Sequence, residues 1–224
     1  MNGLVVKTPI PLDDLENGNL EGKITQRVVL PNVSWQTYTA LLNDLGNHRG
    51  SRLAYDQGLL EIIMPSDRHE TSTQLLERMV SALTEELDLP AKGFRSTTLN
   101  REDLARGAEP DSCYYIQNVN RIQGRTIDLE TDPPPDLVIE VDVTSSSNRR
   151  FEIYQQLGVP EVWRRQGKTV TIYQLQSGAY IECESSPTFP IVSAVMINQF
   201  MQQAEEQDDT ALMRAWRKWI RENA

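Results

Sequence analysis

The chain has 224 residues, of which 39% are hydrophobic and 24% are charged, a composition that supports a folded core and excludes a disordered chain. Its 22 Lys and Arg residues against 32 Asp and Glu residues give a net charge of −10, which disfavours nonspecific binding to nucleic acid because an acidic surface repels phosphates. The sequence contains no apolar run that could span a bilayer and no signal peptide, so we expect a cytoplasmic protein without a membrane partner.

The first half of the chain predicts an arm, a strand, a helix, a hairpin and a second helix. Residues 1–22 are rich in Asp, Glu, Asn, Gly and Pro, and they predict a loose N-terminal arm. Two strand-like runs flank residues 56–58, a pattern typical of a β-hairpin. The second helix has one apolar stripe at helical spacing, and Asp67 followed by Glu70 fits a capping box at its start.

The second half predicts strands that begin at Pro-Asp pairs. One strand follows Asp111, and another follows Asp136 and leads to a short helix that ends at Gly158. A three-stranded meander comes next, and residues 201–224 predict an amphipathic C-terminal helix. Its tryptophans and basic residues fit packing on the core or on a partner subunit better than a nucleic-acid grip. Residues 23–200 show no linker, so we expect one α/β domain with a mixed central β-sheet flanked by helices.

The strand after Pro135 carries carboxylates where a core strand is usually apolar. Side chains alternate between the two faces of a strand. The odd-numbered residues from 137 to 143 are Leu, Ile, Val and Val, whereas the other face carries Asp136, Glu140 and Asp142. Either that face is exposed to water, or a positive charge lies against it.

A cation would explain two such strands side by side. If the strands are neighbours, Asp111 and Glu140 converge on one point. Carboxylates that lie close together repel each other, and some would take up protons unless a cation is present. Mg²⁺ commonly binds one or two carboxylates with water and substrate phosphates. It lowers the pKa of a bound water and offsets charge on a phosphate, which is what phosphodiester hydrolysis needs.

Several blocks of the sequence resemble the Uma-type restriction endonucleases, a family grouped with the PD-(D/E)XK nucleases. The blocks are YDQGLLEIIMPSDRHE, EPDSCYYI, PDLVIEV and GVPEVW, in the order of the family, and the resemblance extends over roughly residues 30–200. It implies a restriction-endonuclease-like core and a hydrolase that uses Mg²⁺ or Mn²⁺ to cleave DNA. It also suggests a homodimer, because two strands need two sites.

The resemblance assigns roles to individual residues. Asp111 would bind metal, and Glu140 would be the acidic residue of the D/E-X-K motif. The lysine of the family stands on the following helix, four residues before a tyrosine, and that position is Arg150 here. Arginine cannot act as a base, but it can hold a phosphate or a water molecule. Asp142 could add a ligand or hold Arg150, and Glu77 on the preceding helix would complete the metal site.

Plainer roles remain open for the same side chains. Glu70 could cap its helix rather than bind metal, and Glu77 could be a solvated residue beside the apolar stripe. His69 could be a packed residue at the helix start, and Asp136 could bind the backbone of a turn. A second hypothesis for the whole protein is a catalytically degenerate nuclease fold that serves as a binding or assembly module. The Lys-to-Arg departure and the net charge favour it.

Overall fold

The computed structural model describes residues 26–46, 50–95, 97–122, 126–142 and 148–224. The arm predicted for residues 1–22 lies outside these ranges. In the described part of the chain, eleven strands form two sheets and five α-helices pack against them. The strands are β1 (Gln26–Leu30), β2 (Arg52–Asp56), β3 (Leu59–Met64), β4 (Lys92–Arg95), β5 (Leu99–Arg101), β6 (Arg106–Ala108), β7 (Ser112–Tyr115), β8 (Leu137–Asp142), β9 (Glu161–Gln166), β10 (Thr169–Gln176) and β11 (Ala179–Cys183). The helices are α1 (Trp35–Leu45), α2 (Asp67–Glu86), α3 (Asn148–Leu157), α4 (Ala194–Gln203) and α5 (Asp209–Asn223).

The larger sheet is the predicted mixed sheet. Its strand order is β11-β10-β9-β8-β7-β4, with β8 and β9 parallel and all other pairs antiparallel. Helix α3 makes the crossover between β8 and β9, because parallel neighbours cannot be joined by a tight turn. Gly158 follows α3 with a φ of 77°, the left-handed conformation in which glycine commonly ends a helix. The prediction of a mixed sheet flanked by helices is confirmed.

The alternation along β8 places a different environment on each face of this sheet. Leu137, Ile139 and Val141 join the core formed with α2, α4 and α5. The opposite face, which begins with Val138, packs against α3. The carboxylate-bearing face is therefore not exposed to water, because a helix covers it.

A second sheet was not predicted. Its order is β1-β3-β2-β6-β5, all antiparallel. The expected hairpin joins β2 to β3, with Gln57 and Gly58 both at positive φ (45° and 100°), as a type I′ turn requires. Helix α1 covers one face of the sheet through an aromatic cluster that includes Tyr38. On the other face, Ala54 and Ala108 join the core around α3, so α3 lies between the two sheets.

Helix α2 begins one residue earlier than the capping box predicted. Ser66 is the N-cap, and its Oγ accepts a hydrogen bond from the backbone N–H of His69 at 3.4 Å. Asp67 is already helical and therefore cannot be the cap. With this start, the buried side chain of His69 lies on the first turn of α2, at the junction of the two sheets.

The C-terminal helix α5 packs on the core. The indole Nε1 of Trp216 donates a hydrogen bond to the Met79 carbonyl on α2 at 3.0 Å. Arg217 and Arg221 pair with Glu86 at 3.0 and 2.6 Å. These arginines are engaged with α2, which supports packing over a nucleic-acid grip for this face. None of the described helices is both long and apolar enough to cross a bilayer.

The buried carboxylate of Asp136 is expected to contribute to the stability of this fold. It is buried and accepts hydrogen bonds from Ile116 N, Asn118 N and Asn118 Nδ2 at 2.7, 3.0 and 2.6 Å. Asp136→Ala leaves these donors unpaired, so we expect a loss of about 3 kcal/mol in the free energy of unfolding. Urea denaturation measures it. Asp103→Ala, at an exposed pair with Arg101, is the control and should unfold as the wild type does; equal stability of all three proteins would contradict the assignment.

Candidate functional site

Three residues predicted for the site converge in the structure. Asp111, Glu140 and Arg150 are only 1%, 3% and 4% exposed. Asp111 directly precedes β7, and the antiparallel register pairs Ser112 with Ile139, so Asp111 stands beside Glu140 at the mouth of the two strands. Arg150 comes from the first turn of α3, above the same face. Arg150 interacts electrostatically with both Asp111 and Glu140, and Glu140 also feels the charge of Asp111.

The two oxygens of Asp111 have different surroundings. Oδ2 accepts a hydrogen bond from the backbone N–H of Val141 at 2.8 Å and lies 3.1 Å from Nε2 of His69. Oδ1 has no hydrogen-bond partner and lies 4.0 Å from Nε of Arg52. Burial acts to raise the pKa of Asp111, but His69, Arg150 and the Val141 N–H outweigh it and hold the pKa below its ordinary value. Asp111 is therefore an anion.

The two oxygens of Glu140 also have different partners. The Tyr154 hydroxyl donates a short hydrogen bond to Oε1, and Arg150 Nη1 lies 2.6 Å from Oε2. Burial raises the pKa of Glu140 to about 8 against the opposing pull of Arg150, and the charges of Asp111 and Asp142 add to the rise. Burial and Glu140 also raise the pKa of Tyr154, so the phenol keeps its proton and remains a donor.

Two guanidinium groups lie against the carboxylate-bearing face of β8. Asp142 Oδ1 accepts a hydrogen bond from Arg150 Nη2 at 3.1 Å, and Oδ2 accepts one from Arg164 Nε at 3.0 Å. Arg164 stands on β9, opposite Glu140 in the parallel register. Of the two alternatives that the sequence left open for this face, water or a positive charge, the structure shows the second, supplied by Arg150 and Arg164.

The comparisons with known proteins agree with this architecture. The model of the Uma2 family, described as "Putative restriction endonuclease", matches residues 35–201. The chain belongs to this family. A crystal structure of a putative nuclease belonging to DUF820 from Anabaena variabilis ATCC 29413 is similar, with a TM-score of 0.51 and 16% sequence identity. The match covers 75% of this chain and 99% of that chain, and it shows a restriction-endonuclease-like fold. No protein of curated function matches.

The donor atoms of this Uma2 chain fit a hard divalent cation. Asp111 Oδ1 and Glu140 Oε2 are buried carboxylate oxygens without a hydrogen-bond partner, and oxygen is the ligand atom that Mg²⁺ prefers. Glu140 Oε2 also faces Arg150, but a carboxylate oxygen has two lone pairs. Within the described ranges, no group of three or more His, Cys, Asp or Glu side chains is arranged to hold a metal ion. A cation here would draw its other ligands from water and substrate.

Glu77 lies apart from the pair. Arg95 Nε is 2.8 Å from its Oε1, Ser112 hydrogen-bonds the same carboxylate, and burial raises the pKa of Glu77. None of the described contacts joins Glu77 to Asp111 or Glu140. Instead, it lines a cleft of about 530 Å³ bordered by α2, β4 and β7. Its role as a third metal ligand stays a prediction that these contacts do not support.

Two residues at the site had no part in the sequence prediction. Arg52 reaches Asp111 from the second sheet, and Arg164 reaches Asp142 from β9. Arg164 carried a weak signal, because it shares one face of a predicted strand with Val162, where an apolar residue would be usual. Arg52 carried none, since no local pattern indicates which sheet a strand joins.

The raised pKa of Glu140 predicts a pH-dependent stability. The native state keeps this proton between the ordinary pKa of 4.5 and about 8, whereas the unfolded chain has released it. The stabilising contribution is therefore present below pH 4.5 and is lost as the pH rises towards 8. Glu140→Gln cannot titrate, so the unfolding free energy of the wild type minus that of the variant should fall as the pH rises through this window.

Urea denaturation in the presence of EDTA, from about pH 5 to about pH 8, measures this difference without bound metal. Glu152→Gln is the matched control, because Glu152 is exposed on the same helix. Its difference from the wild type should not follow the pattern of Glu140→Gln. A constant or rising difference for Glu140→Gln would contradict the assignment of the proton to Glu140.

Proposed function

We propose that this protein is a metal-dependent endonuclease that hydrolyses phosphodiester bonds in DNA, with Mg²⁺ or Mn²⁺ held by Asp111 and Glu140. One observation carries the proposal. Two buried carboxylates converge here, and each has one oxygen fixed by a protein donor; the other oxygen of Asp111 has no hydrogen bond, and the other oxygen of Glu140 is held only by its ion pair with Arg150. Membership of the Uma2 family, described as "Putative restriction endonuclease", supports a nuclease.

Hydrogen bonds from neighbouring residues hold the two carboxyl groups in place. His69 and the Val141 N–H fix Oδ2 of Asp111, and Tyr154 fixes Oε1 of Glu140. These contacts orient the remaining oxygens, as partners of ligand groups do at metal sites. A bound cation would polarise a phosphate and make a coordinated water more acidic.

Arg150 would bind a phosphate oxygen or orient water, since it cannot accept a proton. Its Nη1 and Nη2 contact Glu140 and Asp142, while its buried Nε has no hydrogen-bond partner. This leaves one donor for an incoming oxygen. Arg150 and Arg164 also provide positive charge inside a protein whose net charge is −10, so a local site for phosphate is compatible with an acidic surface.

Three further properties stay predictions within this proposal. They are a homodimer, a cytoplasmic location and a contribution of Glu77 to the metal site. A dimer would place two such sites on the two strands of a duplex.

The proposal is tested by nicking of supercoiled plasmid DNA in Mg²⁺, in Mn²⁺ and in EDTA. We expect cleavage by the wild type with either metal and none in EDTA. Asp111→Asn and Glu140→Gln should each reduce the rate by about 100-fold or more, because each replaces a carboxyl group that can bind the metal as a carboxylate with an amide that cannot become anionic. Glu152→Gln should cleave like the wild type. Cleavage that persists in EDTA or in Asp111→Asn would overturn the metal assignment.

A specific observation favours the degenerate module as the second candidate. Arg150 is buried and tied to both Glu140 and Asp142 at 2.6 and 3.1 Å, a closed arrangement at the place of the family's lysine. In the same nicking assay, Arg150→Lys separates the candidates. An inactive wild type with an active Arg150→Lys variant would establish degeneracy, whereas an active wild type that loses activity in Arg150→Lys would exclude it.

A further inference from the structure

Arg52, on the five-stranded sheet, contributes a side chain to the site. It begins β2, and its side chain is 10% exposed. Its Nε lies 4.0 Å from Asp111 Oδ1, the oxygen without a hydrogen bond. Its Nη2 lies 3.9 Å from Oε1 of Glu70, whose side chain is 46% exposed. Arg52 thus stands between the buried carboxylate and the open side of the site.

The guanidinium of Arg52 is held loosely compared with its neighbours. Arg150 and Arg164 contact carboxylate oxygens at 2.6 to 3.1 Å. Both contacts of Arg52 are about 1 Å longer, and its Nε is a buried donor without a hydrogen-bond partner. A buried charged donor without a partner destabilises a folded protein, and native structures rarely keep one without a reason. A ligand that supplies the missing acceptor is such a reason.

The chemistry of the site selects the ligand. Guanidinium groups bind phosphate through paired N–H donors, with more geometric specificity than an ammonium group. In the described part of the chain, the carboxylate that pairs with Arg52 Nη2 is the partly exposed one of Glu70, at 3.9 Å. That distance is too long for a hydrogen bond, and the Glu70 side chain can move into water when a phosphate arrives. We propose that Arg52 binds a phosphate group of the substrate next to Asp111. The inference rests on the proposed function, because it takes that phosphate to be part of a DNA strand.

Two probes test the role of Arg52. The first is a fluorescent DNA duplex, titrated in Ca²⁺ so that it binds without being cleaved. Arg52→Gln should weaken binding about tenfold or more, and Arg52→Lys should restore part of the loss. Glu70→Gln should tighten binding, since it removes a competing anion. Arg106→Gln is the matched control: Arg106 pairs with Asp56 at 2.9 Å at the other end of β2, so its loss should not change binding.

The second probe is inorganic phosphate at constant ionic strength, read as the shift in the melting temperature. Phosphate should raise the melting temperature of the wild type by about 2 °C and leave that of Arg52→Gln unchanged. If the wild type shows this shift but does not bind DNA, the proposed function fails and the phosphate site stands. If DNA binds equally to the wild type and Arg52→Gln, the phosphate site is overturned while the nuclease proposal stands. Equal responses of the two proteins to both probes would also overturn the site.

Discussion

The structure depends on the pairing of carboxyl groups on a buried strand face with guanidinium groups from the covering helix and from the neighbouring strand. Glu140 and Asp142 can lie under α3 only because Arg150 and Arg164 meet them there. Removal of one partner from such a buried pair typically destabilises a protein by about 3–5 kcal/mol. The parallel crossover from β8 through α3 to β9 brings these charges together, so the topology and the site are parts of one arrangement.

Some donors and acceptors at the site are not fully paired, and these atoms are available to a ligand. The protein leaves one oxygen of Asp111 without a hydrogen bond, and it holds one oxygen of Glu140 only through the ion pair with Arg150. It also leaves donors of Arg52 and Arg150 without an acceptor. Carboxyl oxygens and guanidinium donors that lie side by side without full pairing suit a ligand that contains both charges, as a metal-bound phosphate does.

The sequence predicted those parts of the site that local patterns encode. The alternation in β8 separated an apolar face from a carboxylate face, and the Pro-Asp pairs placed Asp111 and Asp136 at strand starts. The structure then assigns Asp136 to the backbone of residues 116–118. Arg52 could not be found in this way, because its contact with Asp111 spans two sheets. The strands β5 and β6 are only three residues long, too short to show a period.

The central claim is that Asp111 and Glu140 share one divalent cation. The most direct measurement is anomalous diffraction from crystals soaked in Mn²⁺, compared between the wild type and Asp111→Asn. The account predicts a single anomalous peak within coordinating distance of Asp111 Oδ1 and Glu140 Oε2, and its loss in the variant. A wild-type map without a peak at this place, with Arg150 still bound to Glu140, would contradict it.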